Sequence, residues 1–512
     1  MHRTAAVRAC GVTKASPIDP VADAKAVKRA LPKQKVEHDE PDWTRTKKEL
    51  SRVTSAKRIV ITAAMNNAPL ASREWATLRR YCKTRYAELL VVPLRYRNPT
   101  SPQQYMKYEA KVSWATEVTP FLVENRIKLH PLLWLMGDVP IAATAVNPLT
   151  GLESMSRGAS SIFGHSQLAM ETIPTPQNDL PKILHTTGAI TEADYSRSKA
   201  GVKAEFHHAL AALVVEKDGK FFHLRQLMFD EDGGFHDLST YYHPKGVKKN
   251  VRAAALVTGD THVDRADAKA VAATYGKGGI VATLKPEVLA WHDVVDFQSD
   301  SHHNDSIESL ALGLAGKSDV RAEMTRAVEF IAGHTPKGTT SIVVPSNHHD
   351  HPRQWALRKD WRSIHPVNAE FLLELQLAMV RGAKVAHRGV EQVDPLAWWA
   401  FQYLDDHDNI YFLALGESFR VKGVELSFHG DRGPSGSRGS RRGLNRTGTR
   451  MTIGHSHSPG IFKGVWQTGT TSVLDMVFTL GAPSAQMNTH CVVHQNGKRQ
   501  LIHIIGGHWR GA

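Results

Sequence analysis

The segment "AAALVTGDTHVD" (253–264) decides the fold class, because it joins an apolar run directly to a glycine, an acid and a histidine. Short apolar runs bounded by turn residues are typical of buried strands. In open α/β sheets, side chains that bind ligands follow the carboxyl ends of strands. The segment therefore predicts a strand that ends at a candidate site, with Asp260 and His262 as its first two members.

The same arrangement recurs four more times downstream. Apolar runs such as "GIVATL", "DVVDF" and "TSIVVP" alternate with helical segments such as "AEFLLELQLAMVRGA", and this alternation predicts an α/β core over 251–512. A single D-x-H or H-x-H pair is mostly incidental, but five motifs in order are specific. The further motifs are "HDVVDF" with Asp293 and Asp296, "SNHHDH" with Asn347 and His348, "FHGD" with His429, and "GHSH" with His455 and His457.

This ordered set resembles the calcineurin-like metallophosphoesterase superfamily, whose pattern runs D-x-H, G-D-x-x-D, G-N-H-[E/D], H and G-H-x-H. The resemblance implies an αββα sandwich over the C-terminal half and two divalent metal ions bridged by Asp293. His348 would then be a proton donor or charge stabiliser at the leaving oxygen. The ligand types suit Mn²⁺, Fe²⁺ or Zn²⁺, and the resemblance favours Mn²⁺. It places Asp260, His262, Asp293 and His457 on one ion, and Asp293, Asn347, His429 and His455 on the other.

The chain departs from the superfamily pattern in two of its motifs. His292 replaces the glycine before Asp293, and Ser346 and His349 flank Asn347–His348 where a glycine and an acid are usual. Neither change removes a predicted ligand. The second leaves open which acid supports His348, and Asp350 is the candidate.

Charge points to an anionic partner. The chain has a formal net charge of +14, a surplus that favours nucleic acid. The segment "GDRGPSGSRGSRRGLNRTGTR" (430–450) lies between the last two motifs and is either a flexible phosphate-binding loop or a solvated, disordered one. Likewise, "FQSDSHHNDS" (297–306) either lines the substrate groove or is an exposed polar loop. The candidate DNA contacts are Arg432, Arg438, Arg441, Arg442, His302 and His303.

The chain upstream of 251 is predicted to contain three segments. Residues 1–55 are charged and form a flexible basic arm that can include a short helix. Residues 56–150 form a small α/β domain that begins with a β-α-β unit in "KRIVITAA" (57–64), "SREWATLRRYCKTR" (72–85) and "AELLVVPLRY" (87–96). Residues 151–250 form a β-rich connecting region with a strand, an Asp-Gly turn and a strand.

Three cysteines provide no disulfide framework. No signal peptide or membrane span is visible, so a cytoplasmic location is expected.

A closer resemblance, over 57–512, is to the DNA-degradation nucleases of T-five-like phages. "KRIVITAAMNNAP", "AELLVVPLRYRNPTS", "SRSKAGVKAEFHHALAALVVE" and the five motifs carry it. It implies a DNase that degrades host DNA in the host cytoplasm, by attack of a metal-bridged hydroxide on the phosphodiester. The alternatives are a phosphatase or nucleotide phosphodiesterase acting on a small phosphoester, and a nucleic-acid-binding scaffold. A homo-oligomer is expected.

Overall fold

The computed structural model describes residues 41–96, 112–155, 157–176, 179–301, 304–386, 389–405, 408–475 and 481–511. The predicted basic arm lies outside these ranges as far as residue 40, and so do His302 and His303. Residues Asp42–Ala512 form one compact unit.

The strands of the described ranges are numbered here in chain order. They are β1 (Arg58–Met65), β2 (Glu88–Leu94), β3 (Arg126–His130), β4 (Leu133–Met136), β5 (Ser160–Phe163), β6 (Ala169–Ile173), β7 (Lys182–Thr186), β8 (Ala211–Lys217), β9 (Phe222–Met228), β10 (Phe235–Asp237), β11 (Thr240–His243), β12 (Gly246–Lys248), β13 (Ala255–Val257), β14 (Val288–Trp291), β15 (Thr340–Val343), β16 (Lys384–Ala386), β17 (Gly389–Glu391), β18 (Ile410–Phe412), β19 (Arg420–Val421), β20 (Val424–Glu425), β21 (Met451–Ile453), β22 (Gly460–Phe462), β23 (Val465–Gln467), β24 (Thr489–Val493) and β25 (Arg499–His503).

The helices of the same ranges are mostly in the second half of the chain. They are α1 (Lys47–Ser55), α2 (Ser72–Arg85), α3 (Lys199–His207), α4 (Ala268–Tyr275), α5 (Ile280–Leu284), α6 (Ser306–Leu314), α7 (Val320–His334), α8 (Asn347–Arg358), α9 (Ala369–Gly382), α10 (Pro395–Tyr403) and α11 (Arg441–Leu444), with 3₁₀ turns at Thr119–Phe121, Val263–Arg265, Pro366–Asn368, Pro434–Gly436 and Asn445–Thr447. In the described ranges, no helix combines the length and the apolar character needed to span a bilayer.

A six-stranded sheet, the central sheet, has the order β18-β15-β14-β13-β24-β25. Its first four strands are parallel, whereas β24 runs antiparallel to β13 and β25. Side chains alternate between its faces: Leu256 and Leu289 pack with the helices that include α4, α5 and α7, while Ala255 and Ala290 join a core on the other face. The predicted α/β character is confirmed. Because β13, β14 and β15 are parallel, the loops that follow them emerge at one edge.

A ten-stranded sheet, the long sheet, has the order β19-β20-β21-β23-β22-β6-β7-β5-β4-β3. Its two halves join where β22 pairs with β6, with Ile461 opposite Met170. Ile461 and Trp466 of this sheet share the apolar core with Ala255 and Ala290 of the central sheet. The long sheet therefore packs against the face of the central sheet that is opposite the helices.

A four-stranded sheet has the order β2-β1-β8-β9 and contains the predicted β-α-β unit. Strands β1 and β2 are parallel, and α2 spans the predicted range, so this prediction is confirmed. The strand-turn-strand prediction is also confirmed, since β8 and β9 form a hairpin in which Gly219 takes φ +88°. Small sheets of β10-β11-β12 and β16-β17 complete the architecture.

Strand pairing crosses both predicted boundaries, at 150 and at 250. Strand β8 pairs with β1, with Arg58 opposite Glu216, and β6 pairs with β22. Both pairings join strands that are far apart in the chain, and local patterns carry no information about such pairs.

Several local predictions are also corrected. "GIVATL" forms helix α5 rather than a strand, and "DVVDF" is the loop after β14. Helix α1 lies inside the predicted flexible arm and begins with a capping box in which Thr46 and Glu49 satisfy each other's backbone N–H groups. The Arg-rich segment after 430 is not a disordered loop, since it folds into 3₁₀ turns and α11.

Candidate metal centre

The candidate site lies where the loops after β13, β14 and β21 meet. His262, Asp293, His455 and His457 all adopt left-handed backbone conformations, with φ of 43°, 42°, 79° and 56°. Such conformations are strained for residues other than glycine, and they persist where surrounding structure enforces them. Here the His262 N–H donates to the Asp293 carbonyl at 2.7 Å, and the His455 N–H donates to Asp260 Oδ2 at 2.7 Å. The backbone is therefore held in the shape that places these residues together.

Gly454, before His455, is required by this close approach. A Cβ at this position would lie 2.2 Å from Asp260 Oδ1. The glycine of the "GHSH" motif thus lets the loop after β21 lie directly against the acid that follows β13.

The first group of ligand-type atoms comes from Asp260, His262, Asp293 and His457, all buried, with one atom of each within 4.8 Å of the others. His457 Nε2 lies 3.1 Å from His262 Nε2 and 3.2 Å from Asp260 Oδ2. These are the four residues predicted to hold one ion.

Asp293 also reaches the second predicted set. Its Oδ2 lies 3.9 Å from His262 Nε2 and 3.0 Å from His429 Nε2. One carboxylate oxygen thus faces an imidazole nitrogen from each set, which is the placement a bridging ligand needs. The His455 ring lies 5.2 Å from the His429 ring. Asn347, at the start of α8, has a buried Oδ1.

The electrostatics of the cluster keep its acids ionised. Burial opposes ionisation of Asp293, but His429 and His348 outweigh it and hold its pKa well below the usual range. The pKa of Asp260 is lowered in the same way by His429 and His457. For His429, burial lowers the pKa, but Asp293 and Asp260 raise it to about 9. The cluster is therefore rich in negative charge and imidazole nitrogen.

Three buried oxygens of the predicted ligands test whether a cation fits. Asp260 Oδ1, Asp293 Oδ1 and Asn347 Oδ1 have no hydrogen-bond donor among the described residues. A buried acceptor without a donor is costly. Carboxylate, amide and imidazole ligands together suit a divalent transition metal, so the donor set fits the ions that the sequence predicts.

His348 lies beside the cluster, and its side chain is more accessible than that of His262. About a quarter of its side chain is exposed, at 24 %, against 1 % for His262. Its Nδ1 lies 3.1 Å from the Asp296 carbonyl oxygen and 3.6 Å from Asp296 Oδ1. Asp296 also contacts His262 Nδ1 at 3.1 Å and accepts from Arg265 at 2.8 Å. Asp296 therefore contacts both histidines, His262 through its carboxylate and His348 through its backbone carbonyl oxygen.

The structure answers the question raised by His349. Its Nε2 accepts from the Val294 N–H at 2.9 Å, and its ring donates to the Val344 backbone. Burial lowers the pKa of His349 to about 4, which keeps it neutral for this bridge between the loops after β14 and β15. Asp350 instead pairs with Arg353 at 2.5 Å. The acid beside His348 is therefore Asp296, and Asp350 does not take that part.

The predicted DNA-binding arginines differ in their surroundings. The Arg441 guanidinium donates to the Ser458 carbonyl at 2.8 Å and to Gln467 Oε1 at 2.9 Å. Arg441 thus braces the turn that carries His455 and His457. Arg432, Arg438 and Arg442 are exposed, and Arg442 lies over the Phe462 ring at 5.6 Å.

Sequence reasoning missed His490. Its Nδ1 accepts from the Gly259 N–H at 2.8 Å, and its Nε2 contacts Thr274 Oγ1 at 2.7 Å. It therefore fixes the residue before Asp260. His490 lies on β24, which pairs with β13 across more than two hundred residues of sequence, and no local signal marks it.

Fold and site together define a mixed α/β protein with a buried Asp/His cluster compatible with a metal site. Over 472 residues the chain is 29 % identical to Protein A1 of Escherichia phage T5, across 89 % of this chain and 83 % of that protein. This similarity supports an origin in a T5-like phage. No protein-family model matches the chain, and no solved structure matches it.

Proposed function

We propose that this protein is a two-metal-dependent phosphodiesterase that cleaves DNA, with Mn²⁺ as its preferred ion. The observation that carries the proposal is the position of Asp293, whose Oδ2 faces His262 Nε2 at 3.9 Å and His429 Nε2 at 3.0 Å. A single carboxylate shared by two sets of buried imidazoles is the requirement of a binuclear site.

The residues of the cluster divide between two ions. Bound divalent ions would lower the pKa of water and neutralise charge on the phosphoryl oxygens. Asp260, His262, Asp293 and His457 would hold one ion, and Asp293, Asn347, His429 and His455 the other.

His348 is the group proposed to protonate the leaving oxygen. Its partial exposure allows contact with a substrate, and Asp296 fixes its ring through the contacts at Nδ1. A positioned acid of this kind contributes about 10²–10⁴-fold to rate. His349 holds the loop that carries Asn347 and His348 against the loop that carries Asp293.

Charge favours DNA over a small phosphoester. The net charge is +14, and Arg432, Arg438 and Arg442 reach the surface in the segment that leads into the His455–His457 turn. Arginines beside a hydrolytic site can bind the phosphates that flank the scissile one. Because the similarity supports an origin in a T5-like phage, the DNA of the infected host cell is the substrate that we propose.

The test compares two substrates, plasmid DNA and p-nitrophenyl phosphate, with Mn²⁺ and with a chelator. Asp293→Asn is the test variant, and Asp360→Asn on the surface is its matched control. The proposal expects Mn²⁺-dependent plasmid cleavage that Asp293→Asn loses and Asp360→Asn keeps. Hydrolysis of the small ester alone would favour a phosphatase, and DNA binding without cleavage would favour a scaffold.

A further inference from the structure

We propose that His292 is a positioning residue that fixes the imidazole of His429 for the second metal ion. This inference rests on the proposed two-metal site. His292 directly follows β14 and precedes Asp293, and its side chain is fully buried. Its Nδ1 lies 3.2 Å from His429 Nδ1. The superfamily pattern has a glycine here, so this contact belongs to the chain's own departure from the pattern.

The direction of the hydrogen bond follows from the two nitrogens of His429. Its Nε2 faces Asp293 Oδ2 at 3.0 Å and is the atom placed to ligate. The other nitrogen, Nδ1, must then carry the proton and donate it. Histidines that bind metals almost always donate their second N–H to an acceptor, which fixes the ring and strengthens the ligand. His292 Nδ1 is that acceptor, so the proton of His292 resides on Nε2.

Neighbouring groups pack around the His292 ring, while its buried Nε2 has no hydrogen-bond partner among the described residues. The rings of His292 and His429 lie 5.4 Å apart and are tilted by 32°. His292, His429 and Asp260 form a second group of buried ligand-type atoms within 4.8 Å of one another. A Cβ on Gly454 would lie 3.2 Å from His292 Cγ, so the ring also packs against the loop that carries His455.

Loss of this acceptor should weaken one ion selectively. His429 would lose its fixed orientation, whereas the first set contains no ligand to which His292 is hydrogen-bonded. Removing a partner of a metal-ligating histidine typically costs about 10–100-fold in metal affinity. We expect a loss of this size in the affinity for the second ion. The affinity for the first ion should change by much less.

Three variants of the full chain test the proposal. His292→Asn keeps an acceptor, because the amide oxygen of asparagine occupies about the place of Nδ1. His292→Leu removes it at similar size. His494→Leu is the control, since His494 is buried but stacks on His236 with ring centroids 4.6 Å apart. Each is titrated with Mn²⁺, bound ions per chain are counted by elemental analysis, and thermal unfolding reports the fold.

The expected result is two ions in the native chain, a second ion about 10–100-fold weaker in His292→Leu, and near-native binding in His292→Asn and His494→Leu. Equal behaviour of the Asn and Leu variants would overturn the inference. If His292→Leu does not fold, His292→Gln replaces it in the test. The side-chain oxygen of glutamine lies near the former Nε2 position rather than at Nδ1, so this variant should also bind the second ion more weakly.

A double variant separates positioning from general packing. In a His429→Ala background, His292→Leu should cause no further loss of metal affinity, because its partner is already gone. Additive losses would contradict the inference. If the native chain binds no Mn²⁺, the proposed function itself is contradicted. If the native chain binds two ions and His292→Leu binds both with native affinity, only this inference is contradicted.

Discussion

Two buried clusters of charged side chains differ in how far their neighbours satisfy them. In the first, the Arg225 cluster, Arg225 donates to Glu216 at 2.8 Å and to Asp237 at 2.8 Å, and the Tyr81 hydroxyl donates to Asp237 at 2.7 Å. The second is the set of predicted metal ligands, here called the metal-ligand cluster, in which three buried oxygens lack donors within the described residues. Its members are Asp260, His262, Asp293, Asn347, His429, His455 and His457.

The difference separates a structural cluster from a site. Arg225 ties β8, β9 and β10 together, and each buried charge there faces an opposite one, so nothing further is needed. The metal-ligand cluster combines an excess of acceptors with left-handed backbone at four positions. Strain and unsatisfied acceptors both cost stability, and they gather where function requires them. Buried charge alone therefore does not identify a site, whereas buried acceptor atoms that lack donors indicate one.

The largest effect is expected from Asp293→Asn. Loss of the shared carboxylate should abolish plasmid cleavage and reduce the number of bound ions, while circular dichroism shows the native fold. Cleavage at the native rate would contradict the bridging assignment.

Asp237→Asn in the Arg225 cluster should lower the stability of the fold and leave metal binding intact. It leaves Arg225 with one fewer buried counter-charge, so the free energy of unfolding should fall by about 3–5 kcal/mol in urea titrations. The folded fraction should still bind two ions. If this variant lost metal as Asp293→Asn does, the distinction between the two clusters would fail.

His348→Ala should retain both ions and lose about 10²–10⁴-fold in cleavage rate. His348 touches the cluster through Asp296 and the His262 ring, 4.7 Å away, rather than as a predicted ligand. Metal counting and single-turnover rates on the same preparation check both parts. A variant that lost its ions would place His348 among the ligands.

The metal-ligand cluster was the most predictable part of the molecule. Asp260 and Asp293 closely follow parallel strands, and parallel strands place their carboxyl ends at one edge. The pairing of β1 with β8 and of β6 with β22 was not predictable, because each joins strands distant in sequence. The same holds for His490 and for Arg441, whose roles arise from contacts across elements. The prediction of a strand at "GIVATL" was wrong because a short apolar run fits a strand and a buried helix equally well.

Acid should destabilise the fold through histidines away from the cluster. Burial lowers the pKa of His185 to about 4, and its Nε2 lies 2.9 Å from Gln226 Nε2, whose amide donates to it. Between pH 6.5, the ordinary histidine pKa, and about pH 4, His185 is protonated in the unfolded chain but neutral in the folded chain. Stability therefore falls as pH drops through this window. His185 alone accounts for about 3 kcal/mol at most. Urea titrations across the window measure it.

His185→Gln provides the control for this pH effect, since its oxygen can accept from Gln226 but does not titrate. The variant should show a flatter dependence of stability on pH than the native chain. An unchanged slope would exclude His185 as a source of the effect.

The smallest effect is expected from the surface arginines. Replacing Arg432, Arg438 and Arg442 with glutamine should reduce the slope of log affinity against log salt by about 0.9 for each phosphate that the variant no longer binds. Arg126→Gln, on β3 and paired with Asp138 at 3.0 Å, is the control. An unchanged slope in the triple variant would show that these arginines do not bind DNA.

Anomalous diffraction from crystals grown with Mn²⁺ tests the central claim most directly. The account predicts two anomalous peaks about 3.5–4 Å apart, one on each side of the Asp293 carboxylate. A single peak away from Asp293, or no peak among these side chains, would contradict it.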